Sequence, residues 1–324
     1  EGVYTNDINS IFFENINFAE AASTIVEGDN ERPYMSNYST RYLTSPYTDV
    51  VIMRNTNLGQ GYSVSVNLDL PRIYGFSGML AYSTSWGEEV TGKSGSDPFS
   101  AWQYRQILRS LNTEETGLTL NNTPHRVVAN INYSIEYAKR FRSSLSFFYN
   151  GYQGNAYSYI YNGDANRDGT RGHELMYIPA NYDDFIWASP EDLGAYIQFA
   201  EQDPYLKKHK GEYMVRNGAY TPWNSRIDMR FMQEFKVNTG KQVNALQFSV
   251  DVINFANLLS SSWGLNQNVV TTSPLVVNGR DDATGKLKVS MAKIGGEFVR
   301  HSFQDPTSVT GTWGIQLGLK YLFN

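Results

Sequence analysis

The chain contains no cysteine, so neither disulfides nor thiolate metal sites are available to it. No apolar run approaches the roughly 18 residues that a membrane-crossing helix needs, which excludes transmembrane helices. Lysine is sparse, the net charge is −5, and no basic patch carries interleaved aromatics, so nucleic acid is not an expected partner. The four histidines, His125, His173, His209 and His301, are dispersed with no pair at metal spacing. His-Glu-x-x-His, Gly-x-Ser-x-Gly and a phosphate-cradling glycine loop are all missing, so no catalytic residue is assigned. The opening decapeptide EGVYTNDINS has no Met, no basic n-region and no apolar h-region, so an intact precursor is not expected.

What the sequence has in abundance is aromatic alternation. Aromatics make up 14% of the 324 residues, with 23 Tyr. In the closing segment Trp313, Ile315, Leu317, Leu319, Tyr321 and Phe323 occupy every second position, separated by Gly314, Gln316, Gly318 and Lys320. Strand side chains point alternately to opposite faces, so one face of this run is apolar with an aromatic at each end, roughly 33 Å apart. That is about one tilted crossing of a bilayer, although an edge strand of a soluble sandwich would show the same alternation.

The pattern recurs in six more places. The apolar sets are Tyr62 to Leu70, Tyr74 to Trp86, Val127 to Tyr137, Leu145 to Tyr149 (with Phe148 out of phase), Ile227 to Phe235, and Leu246 to Val252. Seven strands are therefore predicted. Their connections alternate strictly between short (Pro71–Ile73, Ala138–Phe141, Asn238–Gln242) and long (87–124, 162–225, 256–311). Compact soluble domains rarely hold structureless loops above about 15 residues. Outer-membrane barrels, by contrast, pair short periplasmic turns with long extracellular loops. The expected fold class is thus all-β: about seven strands of a large antiparallel transmembrane β-barrel. Residues 1–60 form an extracellular loop region with a hairpin near Val50–Asn55, residues 61–324 hold the strands, and the C-terminus is periplasmic. Seven strands enclose almost no lumen and an odd count cannot close conventionally, so further strands are expected from elsewhere. Within the second long loop, Ser189-Pro190-Glu191-Asp192 reads as N-cap, N1 proline and early acids. A short helix follows with Leu193, Tyr196, Ile197 and Ala200 on one stripe.

A set of short motifs then falls in order. Thr123-Pro124-His125-Arg126-Val127-Val128 is followed by Ser146-Phe147-Phe148-Tyr149, Gly163-Asp164-Ala165-Asn166-Arg167-Asp168-Gly169 and Leu175-Met176-Tyr177-Ile178-Pro179. Arg216-Asn217-Gly218 with Pro222-Trp223, Asp251 to Leu259 with Trp263-Gly264, and Gln316 to Asn324 complete it. The set resembles the C-terminal barrel region of Bacteroidetes TonB-dependent outer-membrane receptors of the Oar-like type, related to the SusC-like importers. The resemblance covers most of residues 60–324. It implies a 22-stranded barrel filled by an N-terminal plug that engages TonB, of which this sequence supplies about the last third. Implied partners are that N-terminal portion with its plug and remaining strands, TonB, outer-membrane lipids and the barrel assembly machinery, with a lipoprotein lid left open. The implied function is uptake of a peptide, glycan or similar nutrient. A passive structural or adhesive barrel is the alternative, and a barrel hydrolase would need a Ser/His pair brought together in space.

The strongest polar motif is Asp164-x-Asn166-x-Asp168-Gly169, the first half of an EF-hand-type calcium loop. Thr170 would add a backbone carbonyl. The closing acid, Glu174, comes one residue early, because position 12 is Leu175. Structural Ca²⁺ held by Asp164, Asn166, Asp168, Thr170 and Glu174 is one reading, and an Asn/Asp/Gly-rich turn needing no ion is the other. The charges Asp69, Glu136, Arg226, Asp228, Arg230, Glu234 and Asp251 are expected on the lumen face. The loop aromatics Tyr152, Tyr157, Tyr159, Tyr161, Tyr177, Tyr182 and Trp187 would either stack on ligand or pack the loops together, with packing preferred.

Overall fold

A computed structural model of the chain describes residues 2–6, 10–92, 95–239 and 242–323. The main sheet has nine strands: a two-residue strand, Gly117–Leu118, that pairs with Glu88 and Glu89, and the seven expected strands joined by an eighth. In chain order these eight are β1 (Gly2–Asn6), β2 (Gln60–Ile73), β3 (Phe76–Glu89), β4 (Arg126–Tyr137), β5 (Phe141–Tyr152), β6 (Asn224–Thr239), β7 (Gln242–Ile253) and β8 (Gly314–Leu322). Each pairs antiparallel with its neighbour in sequence, giving one meander in the order β1 to β8. The sheet is open, with β1 and β8 at its edges.

The chain departs from two expectations. Residues 1–60 are not only loop, because Gly2–Asn6 adds a strand to the sheet, Tyr4 facing Tyr62. Five residues without alternation gave no periodic signal for it. The first short turn is also not at Pro71–Ile73. The strand runs on to Ile73 with a register shift after Leu70, since Pro71 has no N–H to give the ladder. The turn is Tyr74-Gly75, both at positive φ, as the commonest two-residue hairpin twist requires. A Cβ on Gly75 would stand 2.8 Å from the Ser134 carbonyl, so only glycine fits. The β4–β5 turn falls as expected, while residues 240 and 241 of the β6–β7 turn lie outside the described residues.

Register fixes the faces. Phe76, Tyr133, Leu145, Phe231, Val250 and Leu317 form one row across six strands, and Leu68, Leu80, Ala129, Tyr149 and Ile227 form another. Every expected apolar set from β2 to β8 thus lies on the same side. Ser77, Asn132, Ser146, Arg230, Asp251 and Gln316 make a parallel row on the opposite side. The apolar face remains exposed: Val66, Leu68, Leu80, Ile131, Ile135, Leu317 and Leu319 all stand open. Aromatics gather at both ends of it, Tyr137, Phe141, Phe235 and Tyr321 toward the short turns and Tyr62, Trp86, Tyr149 and Trp313 toward the long loops.

The buried core lies elsewhere. Its members, among them Ile25, Tyr159, Tyr161, Met176, Tyr177, Phe199, Leu206, Leu275, Leu287 and Val289, come only from the segments between the strands. A second cluster joins Phe18, Met35, Trp102, Ile107 and Leu111. The long loops therefore fold together into a cap. It contains a four-stranded mixed sheet (Tyr161–Asn162, Leu275–Arg280, Leu287–Met291, Ile186–Trp187) and a hairpin of Ser23–Glu27 with Asn30–Tyr34. The strand near Val50 forms as Val51–Thr56, but it pairs with Ser10–Asn15 rather than with a local hairpin partner. The expected helix is Pro190–Gln202, with the Ser189 hydroxyl accepting the Asp192 N–H at 3.2 Å. Its buried face runs through Ala195, Tyr196, Phe199 and Ala200, so Leu193 and Ile197 flank the contact rather than centre it.

Candidate functional site

The calcium-type loop sits inside the cap, where Tyr161–Asn162 leads in and Leu175 leads out through a bridge to Ile160. The Tyr161 N–H donates to the Glu174 carbonyl at 3.1 Å, which ties the two ends together. The chain therefore leaves the loop as extended backbone, not as the helix that follows an EF-hand loop. That path explains the early acid: Glu174, one residue before Leu175, is the side chain that turns back into the loop.

Inside it, the Asp168 N–H donates to both Asp164 Oδ1 (3.0 Å) and Asn166 Oδ1 (3.1 Å). Asp164 Oδ2 accepts the Gly169 N–H at 2.9 Å. Asp168 Oδ1 accepts from the Thr170 N–H and hydroxyl at 2.8 and 2.6 Å, and Asp168 Oδ2 accepts from Asn166 Nδ2 at 2.9 Å. Glu174 Oε1 accepts the N–H groups of Ala165 and Asn166 at 2.7 and 3.2 Å. The five predicted residues are thus brought together around one turn.

One participant was missed. His173 is fully buried beside them, its Nε2 3.2 Å from Asp168 Oδ2 and its Nδ1 2.9 Å from the Thr170 hydroxyl. Its adjacency to Glu174 was the available signal, and no pairing rule on histidines alone finds it. Burial disfavours the imidazolium, but the Glu174 and Asp168 charges prevail and raise the His173 pKa. Burial also opposes ionised Asp168, yet the His173 charge and the Thr170 donors hold its carboxyl down at about 2. Burial, with Asp168 and Glu174 close by, pushes Asp164 up to about 6. Glu174 is raised by burial as well. Among the described residues, no three His, Cys, Asp or Glu side chains stand at metal-ligand spacing.

The remaining buried carboxylates of the cap have structural partners. Glu27 pairs with Arg32 at 3.0 Å, both fully buried, and accepts the hydroxyls of Tyr161 (2.5 Å) and Tyr213 (2.9 Å). Asp203 caps the helix Pro204–Lys208 and accepts the hydroxyls of Tyr159 and Ser302, each at 2.6 Å. The loop aromatics accordingly pack the cap. Tyr157, Tyr159, Tyr161 and Tyr177 are core, Tyr182 and Trp187 pack against it, and Tyr152 takes an Asn224 hydrogen bond at the sheet margin.

The seven charges expected on one face do share it. Asp69 and Asp228 lie on the row through Met79, Asn130 and Phe148, and Glu136 and Glu234 flank Arg142. Arg230 bonds Asp251 at 3.2 Å, Arg226 bonds Asp228 at 2.9 Å, and Gln247 donates to Glu234 at 2.6 Å. No family model, curated protein or solved structure matches this chain. The site and the sheet therefore speak for themselves. They offer charge, hydrogen-bond acceptors and an exposed apolar wall.

Proposed function

We propose that this chain is the C-terminal part of a TonB-dependent outer-membrane transporter, taking up a peptide, glycan or similar nutrient without covalent chemistry. The observation that carries the reading is the uncovered apolar face of β2 to β8. A sheet with one apolar face needs a second layer to bury it, and none of the residues in either core cluster comes from these strands. Lipid supplies that layer, and the aromatics at both ends of the face match the girdles of transmembrane barrels. Water or a plug covers the polar face, where lumenal charge costs little. The open edges at β1 and β8 are satisfied by further strands of the same protein, since an open edge cannot persist in hydrocarbon. The ordered motifs from Thr123 to the C-terminus favour the TonB-dependent class over a passive barrel. In this arrangement the cap faces the cell exterior, the short turns face the periplasm, and energy arrives through TonB by way of the plug.

The test is the mass of the unheated, detergent-solubilised particle and then of its denatured chains. A particle containing a plug and more strands, on the same chain or on a co-purifying one, supports the proposal. A particle made of this chain alone, or of multiples of it, sinks it.

A further inference from the structure

The loop 164–174 carries more acid than its surroundings balance. Among the described residues, Asp164, Asp168, Glu174 and the adjoining Glu27 have Arg32 and His173 as their neighbouring cations, so even with the imidazole charged the cluster is short of two positive charges. The loop's own arginines do not make this up: Arg167 and Arg171 are exposed, and Arg167 is spent on the Ser36 carbonyl at 3.0 Å. A buried carboxylate oxygen ordinarily finds a partner. Glu174 Oε2 does not. Its residue is 1% exposed, the oxygen accepts no hydrogen bond, and its nearest cationic atom, His173 Nδ1, is 3.7 Å away. Glu174 Oε1, held on the N–H groups of Ala165 and Asn166, anchors that carboxylate inside the loop.

We propose that this loop is a Ca²⁺ site, with Glu174 Oε2, Asp164, Asn166 and Asp168 as side-chain ligands, the Thr170 carbonyl beside them and water in the remaining positions. Calcium takes six to eight oxygens at about 2.3–2.6 Å in flexible geometry and accepts amide and carbonyl oxygens beside carboxylates. The acids alone do not converge at metal spacing, but two oxygens of the mixed set already stand side by side. Asp164 Oδ1 and Asn166 Oδ1 share one N–H donor, so they stand close together. Asp168 Oδ2 is held by the rotatable contacts of Asn166 Nδ2 and His173 Nε2 and turns toward the ion when His173 gives way. Access exists from two sides: Asn166 and Asp168 line a cavity of about 640 Å³, and Asp164 lines another of about 510 Å³. The inference is independent of the transport reading, because it concerns the folded cap alone.

The whole protein, purified in CaCl₂ and passed into calcium-free buffer, is assayed for bound metal by mass spectrometry. About one calcium per chain is expected, lost at least tenfold in the double variant Asp164→Asn/Asp168→Asn. Hydrogen exchange of the 164–174 peptide is read in parallel on the unmodified protein. EGTA should accelerate it at least tenfold, and CaCl₂ but not MgCl₂ should restore it. Calcium no higher than the buffer blank overturns the proposal, and so does exchange indifferent to EGTA. Equal retention by the double variant also overturns it, by placing the ion elsewhere. Should that variant fail to fold, the isosteric Glu174→Gln takes its place under the same criterion.

Discussion

Ile131→Arg separates a lipid-facing wall from a merely exposed one. Ile131 is the sixth of the twelve residues of β4, midway between the turn end and the cap end, and it lies between Gly78 and Phe147 on the apolar face. It is 54% exposed. If water covered that face, an arginine there would extend into solvent, and a surface substitution of this kind changes stability by no more than about 0.5 kcal/mol. If hydrocarbon covers it, the same side chain near the midplane costs about 2–4 kcal/mol. Since about 1.4 kcal/mol is a factor of ten, that corresponds to a roughly 30- to 1,000-fold loss in the folding constant. The control is one residue away. Asn130 points to the polar face, on a row flanked by Asp69 and Asp228, so Asn130→Arg gains opposite charges and should stay within about 0.5 kcal/mol. The assay is reversible urea unfolding of the complete protein in phosphatidylcholine vesicles, read by tryptophan fluorescence. Equal stability of the two arginine variants would refute the membrane reading of the sheet.

The cap makes its own predictions. Arg32→Met leaves the Glu27 carboxylate buried without its counter-charge and should cost about 3–5 kcal/mol; limited proteolysis should then cut the cap while circular dichroism still reports the strands. Ser189→Ala removes the acceptor of the Asp192 N–H and should lower cap stability by about 1 kcal/mol, seen as faster hydrogen exchange in 190–202 alone. Tyr159→Phe deprives Asp203 of a 2.6 Å hydrogen bond and should cost about 1–3 kcal/mol. Tyr321→Phe on the sheet should leave the melting temperature unchanged, and a shift as large as that of Tyr159→Phe would argue against the division between the two regions.

The strands were legible because a period of two was repeated seven times and one face had to stay apolar throughout. Register then follows, since a slip of one residue would throw every apolar side chain to the polar face. Local signals that obey a single rule also succeeded, as at Ser189-Pro190. They misled where two rules compete: Pro71 reads as a turn, yet the strand absorbs it with a register shift and turns at Tyr74-Gly75. The cap was hidden for a different reason. Its core residues stand in segments with no sustained period, and its contacts span long distances in sequence, as between Glu27 and Tyr213. His173 escaped although its partners Asp168, Thr170 and Glu174 are close in sequence, because a search for paired histidines passes over a lone one.

The two halves of the molecule follow opposite solvent rules with the same residue types. In the cap, tyrosine buries its ring and returns its hydroxyl to a carboxylate: Tyr159 to Asp203, Tyr161 and Tyr213 to Glu27, Tyr177 to Asp184. On the sheet, Tyr62, Tyr82, Tyr137 and Tyr321 turn the ring outward instead. A whole-chain average of hydropathy cancels these two regimes, which is why composition alone describes neither. The two regions meet through polar contacts, as where the Arg216 guanidinium donates to the Glu89 carbonyl at the end of β3. The cap's core residues come from the segments between the strands, so building it does not use up the apolar face of the sheet.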